Sequence, residues 1–237
     1  MLHPTDFFDL DDAMTQTLCA GCAYVWEILP RLEAFLHQLT GDRQTILGTV
    51  MPGAHLSDRP MYIAEGARIE PGACIVGPAY IGPGVTVRHG AYLRENVILL
   101  AGSVLGHASE AKNSLFLPGA HAPHFNYVGD SILGQRVNLG AGTILSNLSI
   151  LSAKDAATGR RPSIHLTIGQ REYDTGLTKF GAILGDDAQT GCNSVLNPGC
   201  LVGARTLIYA CVSLRRGYYP PDSLIKLPQT LDQVPRL

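Results

Sequence analysis

Apolar residues recur at every sixth position between Ile63 and Phe116. The residues that open successive six-residue units are Ile63, Ile69, Ile75, Ile81, Val87, Leu93, Leu99, Leu105 and Ala111. This period fits neither a helix, which repeats every 3.6 residues, nor a plain strand, which repeats every 2. It predicts a chain wound into a narrow prism, in which each unit is a short strand and a tight corner, and neighbouring coils pair about 4.8 Å apart.

The period slips after Phe116. Leu117 continues the old register, but the next clear run begins at Leu133. The interval 118–132 carries His, Asn and Tyr where the repeat requires aliphatic side chains. Local rules tend to break where function is located, so the slip predicts the functional site.

Residues 146–180 interrupt the repeat a second time. Ile164, Leu166 and Ile168 alternate with polar residues, which predicts a protruding hairpin or long loop inserted at about 148–180. Five basic residues make the segment locally basic: Lys154, Arg160, Arg161, Arg171 and Lys179. It is therefore either a solvated loop or a segment that binds an anion or a neighbouring subunit.

Residues 1–44 differ in kind from the repeat. Val25, Leu29, Leu32, Leu36 and Leu39 form one helical stripe, and Pro30 predicts a kink or a restart within it. Because the end of a prism exposes unpaired strand edges, this segment is predicted to be a helical cap over the first coil, with partner docking as the alternative. The predicted β-helix domain spans 45–230, and a tail follows at 231–237.

Composition narrows the class of protein. Only 16% of the residues are charged and 46% are hydrophobic, which indicates that some outer surface is buried in an oligomer. The net charge of −2 gives no electrostatic footprint for nucleic acid or an anionic membrane. No apolar run reaches the ~20 residues of a membrane span, and the N-terminus lacks a signal-peptide pattern.

The six cysteines predict reduced thiols in the cytoplasm. Cys19 and Cys22 form one CxxC pair, but neither a thioredoxin-like context nor two further metal ligands accompany it. Packing is therefore favoured over a redox or zinc role. Cys200 takes one of the small positions of the repeat, where packing is also expected.

Arg94 and Lys112 lie eighteen residues apart, which is three six-residue units. If each coil takes three units, they stack on adjacent coils. Two cations about 4.8 Å apart repel each other, and an anion between them relieves that repulsion. The spacing therefore favours an anion site, with two ordinary outward residues at the corners as the alternative.

Several blocks resemble a known family more specifically than the repeat does. They are AYLRENVIL, EAKNSLF, HFNYVGDSILG, NLGAGTILSN, TKFGAILGDD and a late KLPQT. In them the chain resembles the hexapeptide-repeat acyltransferases, and within these the acetyltransferase domain of the bifunctional N-acetylglucosamine-1-phosphate uridylyltransferase/glucosamine-1-phosphate acetyltransferases. The resemblance implies an all-β, left-handed parallel β-helix, a homotrimer with active sites between subunits, and acetyl-CoA as co-substrate.

The resemblance also implies roles for single residues. His124 matches the catalytic base, and Asn147 matches an asparagine near the acetyl group. The sugar-phosphate pocket matches Arg94, Lys112, Tyr127, Asn138 and, across the insertion, Lys179. Lys226 matches a coenzyme A contact that is often Arg in the relatives, and it lacks the planar fork of Arg.

Two further features bear on the reaction. The backbone N–H groups of Gly140 and Ala141 are predicted to contact the cofactor by holding the oxyanion that develops on the thioester carbonyl. The NYDG stretch of the family is NLSI here, at 147–150. The nucleotide-binding domain that precedes the prism in the relatives has no match in residues 1–60, so a separate nucleotidylyltransferase is a predicted partner.

The leading hypothesis is an acetyl-CoA-dependent N-acetyltransferase that acts on an amino-sugar phosphate, with glucosamine-1-phosphate first in line and no resident metal. One alternative is a non-catalytic, sugar-nucleotide-binding trimer. A less favoured alternative is a zinc hydratase of the γ-carbonic anhydrase type, with His107, His121 and His124 as the metal ligands.

Overall fold

Three parallel β-sheets form the body of the protein. A computed structural model describes residues 2–150 and 152–228, and the predicted tail at 231–237 lies outside these residues. Within them, sheet 1 has nine strands: Gln44–Ile46, Met61–Ile63, Ala79–Ile81, Val97–Leu99, Ser114–Phe116, Ile132–Leu133, Ala182–Leu184, Cys200–Val202 and Gly217–Tyr219.

Sheets 2 and 3 complete the three faces of the prism. In the described residues sheet 2 has nine strands: Thr49–Val50, Arg68–Ile69, Thr86–Val87, Val104–His107, His121–His124, Asn138–Leu139, Gln189–Thr190, Leu207–Ile208 and Leu224–Ile225. Sheet 3 has eight strands in the part of the chain that the structure describes: His55–Leu56, Cys74–Ile75, Tyr92–Leu93, Glu110–Lys112, Tyr127–Gly129, Ile144–Leu145, Val195–Leu196 and Ser213–Leu214.

Each coil passes through sheets 1, 2 and 3 in that order. Ile63 pairs with Ile81, and Ile81 pairs with Leu99, so each of these coils takes eighteen residues, or three units. The fold class predicted from the sequence, a left-handed parallel β-helix, is confirmed.

The inward positions of the repeat form the core of the prism. Ile63, Ile81 and Leu93 are fully buried there, and burial of each such side chain stabilises the fold by about 1.5–3 kcal/mol. Small side chains such as Ala73 fill the narrow space between them. Cys200 lies in the same core, and burial raises the pKa of its thiol to about 12.

The predicted slip of the register is present as a coil shortened by one residue, but it falls before Phe116 rather than after it. Phe116 pairs with Leu99 and with Leu133, at a spacing of seventeen residues on each side. These coils are one residue shorter at the corner between sheets 3 and 1, where Asn113 adopts φ 44°. Phe116 therefore points inward, and Leu117 packs in the apolar cluster on the outer face.

The N-terminal segment is helical, as predicted. It contains 3-10 helices Pro4–Asp6 and Val25–Arg31, and α-helices α1 (Ala13–Cys19) and α2 (Leu32–Thr40). The Asp12 carboxylate accepts a hydrogen bond from the Thr15 N–H and caps α1. Pro30 lies in the last turn of the 3-10 helix Val25–Arg31, and α2 begins directly after that helix, which confirms a restart. No helix in the described ranges is long and apolar enough to cross a bilayer.

The helices cover a side of the prism rather than its end, so the predicted cap over the first coil is wrong. α2 contacts three strands of sheet 1, Met61–Ile63, Ala79–Ile81 and Val97–Leu99. Its Leu32 and Leu36 form one buried cluster with apolar residues on the outer face of that sheet. A whole apolar sheet face offers more area to bury than the rim of one coil, and it therefore determines where the segment packs.

The insertion also packs on sheet 1. Strands His165–Ile168 and Arg171–Asp174 form an antiparallel hairpin, as one of the two predicted forms requires. It does not protrude, because Leu166 is fully buried and the Tyr173 ring lies 6.2 Å from the Trp26 ring. The N-terminal helices and the hairpin together cover the outer face of sheet 1.

Packing of α2 against sheet 1 predicts a large cost for truncating its buried face. We expect Leu36→Ala to lower the free energy of unfolding by about 2–5 kcal/mol, because a cavity remains in the buried cluster. Leu47→Ala, at a leucine that is 57% exposed, is the control and should change stability by less than about 0.5 kcal/mol. Chemical denaturation checks both values, and equal small losses would contradict the packing.

Candidate functional site

Most of the predicted site residues lie at the two edges of sheet 3. Lys112 ends a strand of sheet 3 at its corner with sheet 1, and Tyr127 begins the strand on the next coil that leads to this corner. Arg94, Asn147 and Lys179 lie at the same corner, outside the strands. His124, Gly140 and Ala141 lie at the opposite corner, between sheets 2 and 3. Within one chain, the structure therefore divides the predicted site into two groups.

Arg94 and Lys112 stack on adjacent coils, as their spacing predicts. Leu93 pairs with Ala111, and the Arg94 N–H donates to the Ala111 carbonyl at 2.9 Å. The Lys112 side chain is only 15% exposed.

Two carboxylates neutralise this pair, which the sequence interpretation missed. Arg94 Nη1 lies 3.0 Å from Glu110 Oε1, and Arg94 Nε lies 3.7 Å from Glu95 Oε2. The other oxygen of Glu95, Oε1, lies 3.7 Å from Lys112 Nζ. The repulsion from which the anion site was predicted is therefore already relieved by carboxylates of the chain itself. The sequence did contain a signal for this pairing, because an acidic residue lies close to each cation. Glu95 directly follows Arg94, and Glu110 precedes Lys112 by two positions.

The pKa values of this charged corner, which we define as Arg94, Glu95, Glu110 and Lys112, reflect the pairing. The hydrogen bond to Glu110 raises the pKa of Arg94. Burial acts to raise the pKa of Glu95, but a backbone hydrogen bond and the charges of Lys112 and Arg94 outweigh it and lower that pKa. Glu95 is thus a carboxylate at neutral pH.

A buried carboxylate orients the polar groups beside the charged corner. Asp130, which is 5% exposed, accepts hydrogen bonds from Asn113 Nδ2 at 2.9 Å and from Asn147 Nδ2. The Tyr127 hydroxyl is hydrogen-bonded to Asn147, and burial, with the charges of Glu110 and Asp130, raises the pKa of Tyr127.

The backbone brings Lys179 to the same corner. The Phe180 N–H donates to the Asn147 carbonyl at 3.0 Å, where the insertion returns to the prism. Lys179 precedes Phe180 and is exposed. The structure therefore gathers Arg94, Lys112, Tyr127, Asn147 and Lys179 at one edge of sheet 3.

His124 ends a strand of sheet 2 and is exposed to solvent. His107 pairs with it on the preceding coil. Asn126, two residues later and 2% exposed, accepts from the His124 N–H at 3.0 Å and donates to the Gly140 carbonyl at 2.8 Å. Asn126 thus holds the corner that presents the histidine, a role that the motif alone did not reveal.

The predicted oxyanion role of Gly140 is wrong. Its N–H donates to the Thr190 carbonyl at 2.8 Å, and a Cβ at this position would lie 2.5 Å from the Gly191 carbonyl carbon. Close approach of the next coil therefore explains this glycine. Ala141 is half-buried and its carbonyl accepts from Asn193 at 2.8 Å, while its N–H has no acceptor in the described part of the chain.

Asn138 and Lys226 join neither group. Asn138 is exposed in sheet 2 beside His121, and Lys226 is exposed after the last strand of that sheet. Five of the cavities on the described chain have volumes of about 140 to 300 Å³, and none of these five is lined by His124, Arg94 or Lys112. In a single chain His124 is exposed, whereas the side chains of Arg94 and Lys112 are 33% and 15% exposed.

The candidate metal ligands and the Cys19 and Cys22 thiols remain to be located in the structure. Among residues 2–150 and 152–228, no group of three or more His, Cys, Asp or Glu side chains is arranged to hold a metal ion. Cys19 and Cys22 are buried in the cluster on sheet 1. Burial, followed by the nearby Cys22, raises the pKa of the Cys19 thiol to about 12, which fits the packing interpretation.

Known proteins are similar in sequence to most of this chain. The bifunctional sugar-1-phosphate nucleotidylyltransferase/acetyltransferase of Sulfurisphaera tokodaii is 33% identical over 174 residues, which are 73% of this chain and 41% of the relative. The matched residues of this chain are homologous to part of this bifunctional enzyme. The Bifunctional protein GlmU of Methanococcus aeolicus is 31% identical over 187 residues, 78% of this chain and 42% of that protein. The predicted resemblance is confirmed, and the chain spans less than half the length of these relatives.

No family model matches the chain. Among solved structures, a putative acetyltransferase of Bacillus cereus is 16% identical, with a TM-score of 0.37. The matched region covers 73% of this chain and 77% of the Bacillus cereus chain. The acetyltransferase domain of PglB from Neisseria gonorrhoeae is 13% identical, with a TM-score of 0.35. The matched region covers 82% of this chain and 73% of that domain's chain. The fold assignment rests on the strand pairing of this chain.

The Asp130 network predicts a stability effect beside the site. We expect Asp130→Asn to lower the free energy of unfolding by about 1–3 kcal/mol, because the new amide places a donor against a donor in a buried position. Asp58→Asn, at an exposed carboxylate, is the matched control. Urea denaturation measures both, and a loss below about 0.5 kcal/mol at Asp130 would show that the network contributes little.

Proposed function

We propose that this chain is an acetyl-CoA-dependent N-acetyltransferase that acts on an amino-sugar phosphate, with glucosamine-1-phosphate as the first candidate. One observation carries the proposal. Arg94 and Lys112 stack on adjacent coils at one corner of the β-helix. The same chain is 33% identical over 174 residues to a sugar-1-phosphate nucleotidylyltransferase/acetyltransferase. Two stacked cations suit the phosphate of such an acceptor.

The proposed acceptor pocket is the charged corner and its neighbours. Arg94, Lys112 and Lys179 hold the phosphate, and Tyr127 and Asn147 hydrogen-bond to the sugar and the acetyl group. The orientation of Asn147 is set by the buried Asp130. The carboxylate of Glu110 holds Arg94 in place from the other side.

The proposed reaction needs one proton acceptor and no covalent intermediate with the protein. The amine nitrogen attacks the thioester carbonyl carbon, and His124 takes the amine proton. The tetrahedral oxyanion then collapses, the C–S bond breaks, and the coenzyme A thiolate leaves and takes a proton. The Ala141 N–H is the proposed donor to the oxyanion, and Lys226 is the proposed contact for coenzyme A.

We further propose that a homotrimer completes the site. His124 and the charged corner lie at opposite edges of sheet 3, so His124 of one copy is proposed to face the charged corner of the next. The chain's own helices and hairpin cover sheet 1, which leaves sheets 2 and 3 for contact between copies. Asn138, exposed in sheet 2, is proposed to reach the acceptor pocket of a neighbour.

Location and partners follow from the same proposal. The described cysteines are free thiols, which supports work in a reducing compartment such as the cytoplasm. A separate nucleotidylyltransferase is proposed to use the acetylated sugar phosphate.

A direct assay tests the catalytic role of His124. Purified protein is incubated with acetyl-CoA and glucosamine-1-phosphate, and free thiol is followed. We expect His124→Ala to lower kcat about 10²–10⁴-fold, because the general base is lost. His55→Ala, at an exposed histidine on another coil, should retain wild-type activity.

Other outcomes separate the alternatives. No turnover by the wild type, or an unchanged rate in His124→Ala, contradicts the proposal. Binding of a sugar nucleotide without acetyl transfer supports the non-catalytic trimer. Stoichiometric zinc together with carbon dioxide hydration supports the zinc hydratase.

Mixed oligomers test the shared site. When His124→Ala and Arg94→Ala chains are expressed together, random assembly gives about a quarter of the sites one intact residue from each of two copies. We therefore expect about a quarter of the wild-type activity from the mixture and almost none from either variant alone. If each site lies within one chain, the mixture stays inactive.

A further inference from the structure

Glu95 bridges the two cations of the proposed acceptor pocket. Its Oε2 lies 3.7 Å from Arg94 Nε, and its Oε1 lies 3.7 Å from Lys112 Nζ. Each oxygen of one carboxylate thus faces a different cation on a different coil. Glu110 occupies the other branch of Arg94, at 3.0 Å from Nη1. The Nε edge of Arg94 and the Lys112 ammonium therefore share Glu95 as a counter-ion.

This position is the one that an incoming phosphate needs. A phosphate oxygen that bonds to both Arg94 Nε and Lys112 Nζ has to displace the Glu95 carboxylate. If both anions stay, like charges repel at short range. The Glu95 side chain is 32% exposed, so it has solvent into which it can turn. The backbone of Arg94 and Glu95 is hydrogen-bonded to the next coil, so movement of the Glu95 side chain alone is sufficient.

We propose that Glu95 is an internal counter-ion, which exchanges with the substrate phosphate at Arg94 and Lys112 and thereby lowers the affinity of the site for phosphorylated ligands. This inference rests on the proposed function for the identity of the ligand. Glu95 keeps the two cations separated and in place while the pocket is empty. It then returns between them as the phosphorylated product leaves, which opposes rebinding.

The role differs from that of a purely structural ion pair. A structural pair that merely positions Arg94 and Lys112 predicts weaker phosphate binding when it is broken. An exchanging counter-ion predicts tighter phosphate binding, because the competitor is gone while the cations remain. The two roles therefore predict changes of opposite sign in the same measurement.

The first test is a calorimetric titration of inorganic phosphate and of glucosamine-1-phosphate into folded protein. We expect Glu95→Gln to bind both about tenfold more tightly than the wild type, the order expected for removing one like charge at a part-exposed site. Glu95→Asp keeps the charge and should bind like the wild type. Glu65→Gln, at an exposed carboxylate on another corner, is the control for net charge.

Kinetics give a second, independent readout. In Glu95→Gln, KM for glucosamine-1-phosphate should fall about tenfold while KM for unphosphorylated glucosamine stays unchanged, because only the phosphate meets Glu95. The gain should shrink to less than about twofold in a Lys112→Met background, where one of the two cations is missing.

The outcomes separate this inference from the proposed function. A wild-type chain without acetyl transfer contradicts the proposed function, and the titration still decides the role of Glu95. Equal or weaker phosphate binding by folded Glu95→Gln, or no binding by either protein, overturns the inference. Equal tightening by Glu65→Gln overturns it as well, because the effect then belongs to net charge.

Discussion

The narrow core of the prism is the constraint on which the rest of this structure depends. The coils return mostly aliphatic side chains to the same three inward positions, because the interior of the prism is narrow. Residues seventeen or eighteen apart therefore become neighbours, with their backbones hydrogen-bonded. Arg94 and Lys112 owe their proximity to Leu93 and Ala111, which face the core beside them.

The same register gives the prism three outer faces, one for each sheet, and these faces differ in what covers them. Sheet 1 presents apolar residues such as Ile98 and Leu115, and the chain covers them with its own helices and hairpin. Sheet 3 carries the charged corner at one edge and follows the His124 corner at the other. In the charged corner, two cations lie 3.0–3.7 Å from two carboxylates, so the four side chains are balanced in charge without a ligand. A ligand anion then competes for cations that already have partners.

The repeat predicted the fold class, the coil length and the stacking of Arg94 on Lys112, because an inward aliphatic every six residues is a direct record of burial. It did not predict which of Phe116 and Leu117 points inward, since both are apolar and one deleted residue decides between them. The helical stripe was visible, but its docking surface depends on outward residues of distant strands. The charges of Glu95 and Glu110 were visible too, whereas their pairing depends on side-chain directions at the corners.

The most direct test of the central claim identifies the product itself. Glucosamine-1-phosphate is incubated with acetyl-CoA and the purified chain, and the sugar is examined by mass spectrometry before and after hydroxylamine treatment, which removes esters and thioesters but not amides. If the chain is an N-acetyltransferase, the sugar gains one acetyl group that survives hydroxylamine. An unmodified sugar, or an acetyl group that hydroxylamine removes, would contradict it.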